Sequence, residues 1–170
     1  VNIKDNGGIP VVHHKEAGCY LPEFIFGMLR TSSNYNDDED RTGIGTNGLG
    51  IKIANIFSTD FSVKTADNKN EISVIWKDNM KTVISHGEPK KSSKHYTDIK
   101  FNIDFSKFDI DELSDEFIDI IEKRCIDAAA ANLGLKVIFE YKDKENGRKS
   151  QWKFTKFDQY IDLFNGYVDA

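Results

Sequence analysis

A chain of 170 residues is long enough for one domain, which would bury roughly two-thirds of its surface on folding. With 39% hydrophobic and 30% charged residues, it has the composition of a globular protein. Its net charge of −5 argues against a surface that itself binds nucleic acid, because neutralising phosphates needs a basic excess. A place within a larger DNA-handling protein stays open.

The hydropathy and cysteine patterns narrow the class of protein further. No apolar run approaches the ~18 residues that span a bilayer, and we expect an intracellular protein without membrane contact. Cys19 and Cys125 lie far apart without CxxC spacing, which predicts reduced thiols rather than a zinc site or a disulfide. The chain opens at Val1 without a methionine, and we expect it to be a piece of a longer protein.

The first part of the chain predicts a strand, a turn and a short helix. Residues 1–5 alternate apolar and polar side chains, which is typical of a half-buried strand, and "DNGGIP" follows as a turn. A helix is predicted to begin near Pro22. Its expected buried stripe comprises Phe24, Ile25, Met28 and Leu29. Residues 31–50 lack a hydrophobic period, and so long a loop in a compact domain is usually functional or mobile.

The middle of the chain predicts one helix and three strands. The helix follows the long loop, and its expected apolar residues are Leu49, Ile51, Ile53 and Ile56. Period-two alternation in "FSVKTAD" and "EISVIWK" predicts a hairpin, and "TDIKFNID" predicts a further strand.

The last part of the chain predicts the longest helix, over residues 111–131, then a hairpin from "LKVIFEYK" and "KSQWKF" and a short helix in "FDQYIDLF". We expect the long helix to carry an outer Asp119–Lys123 pair. Its expected inner residues are Leu113, Phe117, Ile120, Ile121 and Ala128. All elements together predict a single α+β domain over residues 1–170, a two-layer sandwich with a mixed β-sheet.

Residues 42–50, "TGIGTNGLG", contain four glycines in nine positions. The run from Gly43 to Gly48 matches G-x-G-x-x-G, but the acidic "NDDEDRT" before it is not the buried strand that a dinucleotide-binding fold requires. A P-loop is excluded because no Gly-Lys-Ser/Thr ends the run. A flexible surface loop and a phosphate site both stay open, since "NGLG" leads into a helix whose first N–H groups and dipole attract anions.

Two other groups of polar residues have both a ligand-binding and a structural explanation. The carboxylate of Asp5, at a strand end before two glycines, suits an amino group such as that of adenine. An Asx turn is the simpler explanation for Asp5 from the residues alone. Ser32, Ser33 and Asn34 either end the preceding helix or contact ribose and phosphate oxygens.

The remaining histidines and tryptophans do not predict a site. His13 and His14 adjoin without further metal-ligand spacing, and His86 and His95 flank a polar loop where we expect them to be exposed. Trp76 and Trp152 lie on predicted strands, and we expect them to pack in a core or at its rim. No Ser/His/Asp or Cys/His arrangement stands out, so we predict no catalytic and no metal-binding residues.

Several longer segments, in the same order along the chain, resemble one known family. They are "DNGGIPVVHHKE", "YLPEFIFGMLRTSSNYNDDED", "TNGLGIKIANIFST", "WKDNM", "YTDIKFNIDFSKF" and "FDQYIDLF". From residue 1 to about 165 the chain resembles the N-terminal ATPase domain of type IIA DNA topoisomerases, nearest to the eukaryotic and large-virus or phage branch. The resemblance implies a Bergerat (GHKL) fold, with helices on one face of a mixed sheet.

The resemblance also implies roles for residues at matching positions. Asp5 is similar to the family's adenine-reading acidic or amide residue, and Gly8 to the turn beneath the base. Ser32, Ser33 and Asn34 are similar to its ribose and phosphate contacts. A loop that wraps the triphosphate as a lid is implied for Gly45, Thr46, Asn47, Gly48, Leu49, Gly50, Ile51 and Lys52. Within that loop, Lys52 is implied to neutralise phosphates.

In the parent protein, the resemblance implies that ATP with Mg²⁺ brings two such domains together in a homodimer. The closed gate captures a DNA segment for strand passage and hydrolysis resets it, with DNA bound by the full-length parent and not by this part alone. The compartment would be nuclear in a eukaryote, and cytoplasmic or nucleoid in a phage or bacterium. A Bergerat-type ATPase of the chaperone or mismatch-repair kind, or a non-hydrolysing regulatory relative, is the alternative.

The chain departs from the family pattern in three places. Gly7 and Gly8 are adjacent where the family has one more residue between its glycines, and the second loop has an extra residue at Ile44. The general-base glutamate and the Mg²⁺-binding asparagine lie upstream of the "DNG" strand in the family and are not in this chain. We therefore expect this chain by itself not to hydrolyse ATP appreciably. We also expect it to be monomeric, because the resemblance implies that dimerisation uses an N-terminal arm that is not in this chain.

Overall fold

The computed structural model describes residues 1–29, 48–143 and 147–165. These residues fall into two compact units, 1–110 and 111–170. The single domain expected over the whole chain stays a prediction. In the first unit the strands are β1 (Asn2–Asp5), β2 (His13–His14), β3 (Cys19–Tyr20), β4 (Ser58–Asp67), β5 (Asn70–Lys77), β6 (Thr82–Ser85), β7 (Lys90–Lys91) and β8 (His95–Ile103). Its α-helices are α1 (Leu21–Gly27) and α2 (Gly50–Ile56).

The main sheet of the first unit has the strand order β1-β8-β4-β5-β6, and β7 also pairs with β5. All these pairings are antiparallel. The hairpin predicted from period-two alternation is confirmed as β4 and β5, in which Phe61 lies opposite Trp76 and Val63 opposite Val74. These four side chains point to the same face of the sheet and are buried, as the alternation requires.

Both helices of the first unit contribute to one core on that face of the sheet. The buried members of this core cluster are Val11, Phe26, Phe61, Val63, Ile72, Val74 and Trp76, and Ile25, Ile51 and Ala54 pack against it. Gly27 ends α1 directly over Trp76, where a Cβ would lie 3.0 Å from the indole ring. Helices packed on an antiparallel sheet confirm the predicted α+β class.

The buried faces of three elements differ from the predictions. The buried residues of α1 are Pro22, Glu23 and Phe26, whereas Met28 and Leu29 are exposed because the helix ends at Gly27. In α2, Ile53 is exposed and the polar Lys52 and Asn55 are buried. All four residues of β1 are exposed, since this strand lies at the edge of the sheet rather than half-buried.

The second unit contains α3 (Asp115–Ala131), β9 (Val137–Lys142), β10 (Gly147–Trp152) and α4 (Asp158–Ile161). The predicted hairpin is confirmed by the antiparallel pairing of β9 with β10. The side chain of Ser114 caps α3 by accepting a hydrogen bond from the N–H of Phe117 at 3.3 Å, which explains why the helix begins later than predicted.

The predicted inner face of α3 was wrong. Ile118, Ala129 and Ala130 are the buried residues of the helix, while Phe117 and Ile120 are about half exposed. A second core cluster forms from Ala129, Ala130 and Phe154, with Ile126, Val137, Trp152 and Tyr160 packed against it.

The predicted ion pair within α3 was wrong as well. The Asp119 carboxylate accepts a hydrogen bond from Arg148 at 2.6 Å. Lys123 pairs with Asp127 and donates to the hydroxyl of Tyr160 at 3.1 Å. Both side chains therefore use other partners, Asp119 on β10 and Lys123 one turn further along α3 and on α4.

Neither cysteine forms a disulfide; Cys19 and Cys125 are free thiols, as predicted. Burial raises the pKa of both thiols above the ordinary value, with a smaller contribution from a nearby glutamate in each case. In the ranges that the structure describes, we find no helix with the length and apolar character needed to cross a membrane.

Candidate functional site

The turn after β1 is built around the side chain of Asp5. Its Oδ1 accepts a hydrogen bond from the N–H of Gly7 at 2.7 Å, the Asx turn that the residues alone favoured. Asp5 is exposed, so this contact leaves part of the carboxylate accessible to solvent and to a ligand. The turn and the ligand-binding explanations are therefore compatible, since they use different lone pairs of one carboxylate.

Gly8 is required by a close approach of two backbones. A Cβ at this position would lie 2.0 Å from the carbonyl oxygen of Ala66 and 2.9 Å from Cδ2 of His95. Gly8 does not have a left-handed φ. Its small size lets the chain pass directly over the end of β4, and that is what places the turn beside β8.

Two buried threonines hold the turn to the sheet. The hydroxyl of Thr97, on β8, donates to the carbonyl oxygen of Gly7 at 2.6 Å. The hydroxyl of Thr65, on β4, accepts from the N–H of Ile9 at 2.9 Å and lies 3.2 Å from that of Thr97. Both side chains are buried, so each hydrogen bond is shielded from competing water.

Asp67 anchors the segment that leaves the turn. Its Oδ2 accepts from the N–H of Val11 at 2.9 Å, while its Oδ1 accepts from the N–H groups of Lys69 and Asn70 at 3.0 Å and 2.8 Å. These backbone donors, first of all Val11, hold the pKa of Asp67 below its ordinary value.

The sequence offered no direct signal for Thr65, Asp67, His95 or Thr97 as supports of this turn. Each acts on residues that lie far away along the chain, and their roles depend on the register of β4 against β8. In that register Thr65 lies opposite Thr97 and Asp67 lies opposite His95. Only the alternation of the two strands, which places threonines on the core face, pointed towards them.

The entry to α2 belongs to the segment that the resemblance assigned to the triphosphate. Gly48 has a left-handed φ of 59°, a conformation that glycine adopts without strain. Leu49 follows as the residue before the helix, and its carbonyl accepts from the N–H of Ile53 at 3.0 Å. A Cβ at Gly50 would meet no described heavy atom within 4 Å, so packing within the described chain does not require a glycine there.

Lys52 and Asn55 form a buried polar face on α2. Lys52 is 2% exposed, and this burial lowers the pKa of its ammonium group. Asn55 is fully buried and donates from Nδ2 to the carbonyl of Phe26 at 3.2 Å, near the end of α1. Its Oδ1 has no hydrogen-bond partner in the described ranges. A buried side-chain oxygen without a hydrogen-bond partner is uncommon in folded proteins, and packing alone does not account for it.

Residues beside both predicted site segments, the Asp5 turn and the entry to α2, pack against the same core cluster. Ile9, which follows the Asp5 turn, packs against the same core cluster as Ile51, which follows Gly50. The site residues that the structure describes are Asp5, Gly8, Gly48, Leu49, Gly50, Ile51 and Lys52. The other predicted site residues, Ser32, Ser33, Asn34, Gly45, Thr46 and Asn47, lie outside the described residues.

The described residues do not fit a metal site. In residues 1–29, 48–143 and 147–165, no three His, Cys, Asp or Glu side chains are grouped to hold an ion. A magnesium ion needs a nearly octahedral set of oxygen ligands.

Comparisons with known proteins agree on one family. DNA topoisomerase 2 of Bombyx mori is 41% identical over 169 residues, which are 96% of this chain and 10% of that protein. DNA topoisomerase 2-beta of Homo sapiens is 39% identical over 167 residues, which are again 96% of this chain and 10% of that protein. The chain thus spans about a tenth of the length of the curated relatives it matches. No protein-family model matches it.

Solved structures give the same result for the fold. The ATPase region of Saccharomyces cerevisiae topoisomerase II superposes with a TM-score of 0.83 at 31% identity, over 98% of this chain and 43% of that one. The ATPase and transducer domains of DNA topoisomerase II from Balamuthia mandrillaris give 0.79 at 36% identity, over 97% and 42%. These matches do not favour the alternative of a chaperone or mismatch-repair ATPase.

Proposed function

Because this chain belongs to the type II DNA topoisomerase family and corresponds to part of its ATPase region, we propose that it is a nucleotide-binding portion of an ATP-dependent type II topoisomerase. In the parent protein, ATP binding would bring two such portions together as a homodimer and close a gate for DNA strand passage. DNA would be bound by the parent as a whole. The protein would act in the compartment that holds the DNA, which is the nucleus in a eukaryote.

ATP would bind between the Asp5 turn and the entry to α2. The observation that carries this proposal is that Ile9 and Ile51, which flank these two segments, pack against one core cluster. The Asp5 carboxylate would accept a hydrogen bond from the amino group of adenine, and Gly8 would let the base lie close to the backbone. The ribose and the phosphates would contact Ser32, Ser33 and Asn34.

The triphosphate would lie against the segment from Gly45 to Lys52. Its backbone N–H groups at Gly45, Thr46, Asn47, Gly48, Leu49, Gly50 and Ile51 would act as donors to phosphate oxygens. The position of Lys52 supports this, since it lies in the same segment and a positively charged side chain is attracted to phosphate oxygens. The open space around Gly50 supports it too, because a glycine that the described packing does not require suits a backbone that a ligand approaches.

Calorimetry with a non-hydrolysable ATP analogue, with and without Mg²⁺, tests the proposal. We expect binding by this chain, and an Asp5→Ala variant that binds about tenfold to a hundredfold more weakly, the usual effect of losing a hydrogen bond to a charged acceptor. Asp111→Ala, which removes an exposed carboxylate from the second unit, is the matched control and should bind like the wild type. Absence of binding by the wild type, or equal binding by both variants, would contradict the proposal.

A further inference from the structure

Both ring nitrogens of His95 contact the backbone of the Asp5 turn. Nδ1 lies 2.8 Å from the carbonyl oxygen of Asn6, and the N–H of Gly8 donates to Nε2 at 3.3 Å. A carbonyl oxygen only accepts, so Nδ1 carries the hydrogen, and Nε2 must be unprotonated because it accepts. The two contacts together require the neutral imidazole with its proton on Nδ1.

These contacts fix the residues that orient the Asp5 carboxylate. Asp5 is bound to the N–H of Gly7, and His95 holds the residues on either side of Gly7. Thr97 holds the carbonyl of Gly7 from the sheet. His95 itself is exposed, so protons reach its ring without any opening of the core.

We propose that neutral His95 is a positioning residue for the nucleotide, holding the Asp5 turn so that its carboxylate meets the purine amino group, and that protonation of His95 weakens nucleotide binding. This inference rests on the function proposed above. An imidazolium has two N–H donors and no acceptor, so it cannot accept from Gly8, and the two N–H groups would then face each other. The turn loses one of its supports when the pH falls.

The charged groups near His95 come from three elements. Asp67 lies opposite it on β4, Asp5 ends β1, and Lys94 precedes it in the chain. The carboxylates of Asp67 and Asp5 already accept backbone N–H groups. The chain has three further histidines, so only a change in binding that disappears when His95 is replaced reports on this imidazole.

The experiment compares the affinity for a non-hydrolysable ATP analogue at pH 7.5 and pH 5.5. His95→Gln has both a donor and an acceptor but does not titrate, whereas His95→Phe keeps the ring and removes both. We expect His95→Phe to bind about twofold to tenfold more weakly than the wild type at pH 7.5, as for one or two lost hydrogen bonds. His13→Gln, which replaces an exposed histidine on β2, is the matched control.

The readout is the ratio of affinities at the two pH values, compared between variants. Terminal phosphates also titrate near pH 6, and the comparison removes that shared contribution. We expect the wild type and His13→Gln to lose about twofold to tenfold more affinity on acidification than His95→Gln. An equal ratio in the wild type and His95→Gln would overturn the inference while leaving the proposed function intact.

Two further outcomes separate the inference from the function. If the wild type binds no nucleotide at pH 7.5, the proposed function fails and the inference fails with it.

Nitrogen-15 NMR of the wild-type imidazole does not depend on any variant folding. A neutral ring with its proton on Nδ1, together with a Gly8 amide shift that follows its titration, supports the inference, and a proton on Nε2 overturns it.

Discussion

Gly8 and Ala66 approach so closely that a Cβ at position 8 would lie 2.0 Å from the Ala66 carbonyl oxygen. Because the obstructing atom belongs to the backbone of a buried strand, no side-chain rotation relieves the clash. We expect Gly8→Ala to lower the free energy of unfolding by about 2 kcal/mol or more, as overpacking against rigid neighbours does. Urea denaturation followed by circular dichroism measures the loss.

Gly50→Ala is the matched control for this substitution, since a Cβ there meets no described heavy atom within 4 Å. It also replaces glycine at the start of a helix, where alanine is favoured. We expect stability that is unchanged or higher by a few tenths of a kcal/mol. Equal stabilities of Gly8→Ala and Gly50→Ala would show that the turn does not pass over β4 as described.

The fate of particular residues shows what the sequence could predict. Period-two alternation identified the β4–β5 hairpin because Val63 and Val74 face one core, and Pro22 marked the start of α1 because its ring suits the first helical turn. Such local patterns follow from hydrophobic burial and backbone geometry alone, and they settled the fold class.

The features that the sequence did not predict have a common physical cause. Each depends on contacts with residues that lie far away along the chain. Asn55 is buried because its amide reaches the carbonyl of Phe26, 29 residues earlier, and no local pattern reports such a contact. β1 reads as half-buried but lies at a sheet edge, which is a property of strand order. His95 was predicted to be exposed, and it is, yet its contacts with Asn6 and Gly8 depend on tertiary register.

Asp67 should make this protein sensitive to acid. Its carboxylate accepts three backbone N–H groups, which hold its pKa below the ordinary value of 3.8. The pKa is lower in the folded than in the unfolded chain, so the stabilisation is present above pH 3.8 and is lost as the pH falls through the folded pKa. We expect unfolding measured from pH 6 to pH 2.5 to show a smaller loss of stability for Asp67→Asn than for the wild type.

Asp67→Asn keeps an acceptor oxygen and removes the charge, so it isolates the titration. Asp67→Ala removes every acceptor, and we expect it to cost about 2 kcal/mol at pH 7, because buried or partly buried N–H groups lose a charged partner. The same dependence on pH in Asp67→Asn and the wild type would mean that other carboxylates govern acid unfolding.

We expect Lys52 to contact the phosphates and its pKa to change when they bind. Burial lowers the pKa of its ammonium, and a bound triphosphate would raise that pKa again. We therefore expect the wild type to take up protons on binding a non-hydrolysable ATP analogue at alkaline pH. Calorimetry between pH 8 and pH 10, in two buffers of different ionisation enthalpy, measures this uptake.

Lys52→Met keeps a long unbranched side chain without the charge, and we expect it to bind the analogue about tenfold more weakly, without the alkaline proton uptake. Lys69→Met, which removes an exposed ammonium from the β4–β5 turn, is the control and should match the wild type in both measurements. Proton uptake that persists in Lys52→Met would assign it to another group.

Ser114 should set the stability of α3 from its first turn. Its hydroxyl accepts the N–H of Phe117 at 3.3 Å, one of the N–H groups that have no partner within a helix. We expect Ser114→Ala to lower the free energy of unfolding by about 1 kcal/mol, whereas Ser114→Asp keeps an acceptor and should stay close to the wild type. Amide hydrogen exchange of α3 follows the effect locally, and it should rise first at Asp115–Phe117 in the alanine variant. If alanine and aspartate behave alike, the hydroxyl does not cap the helix, and its start must be fixed by packing of Ile118.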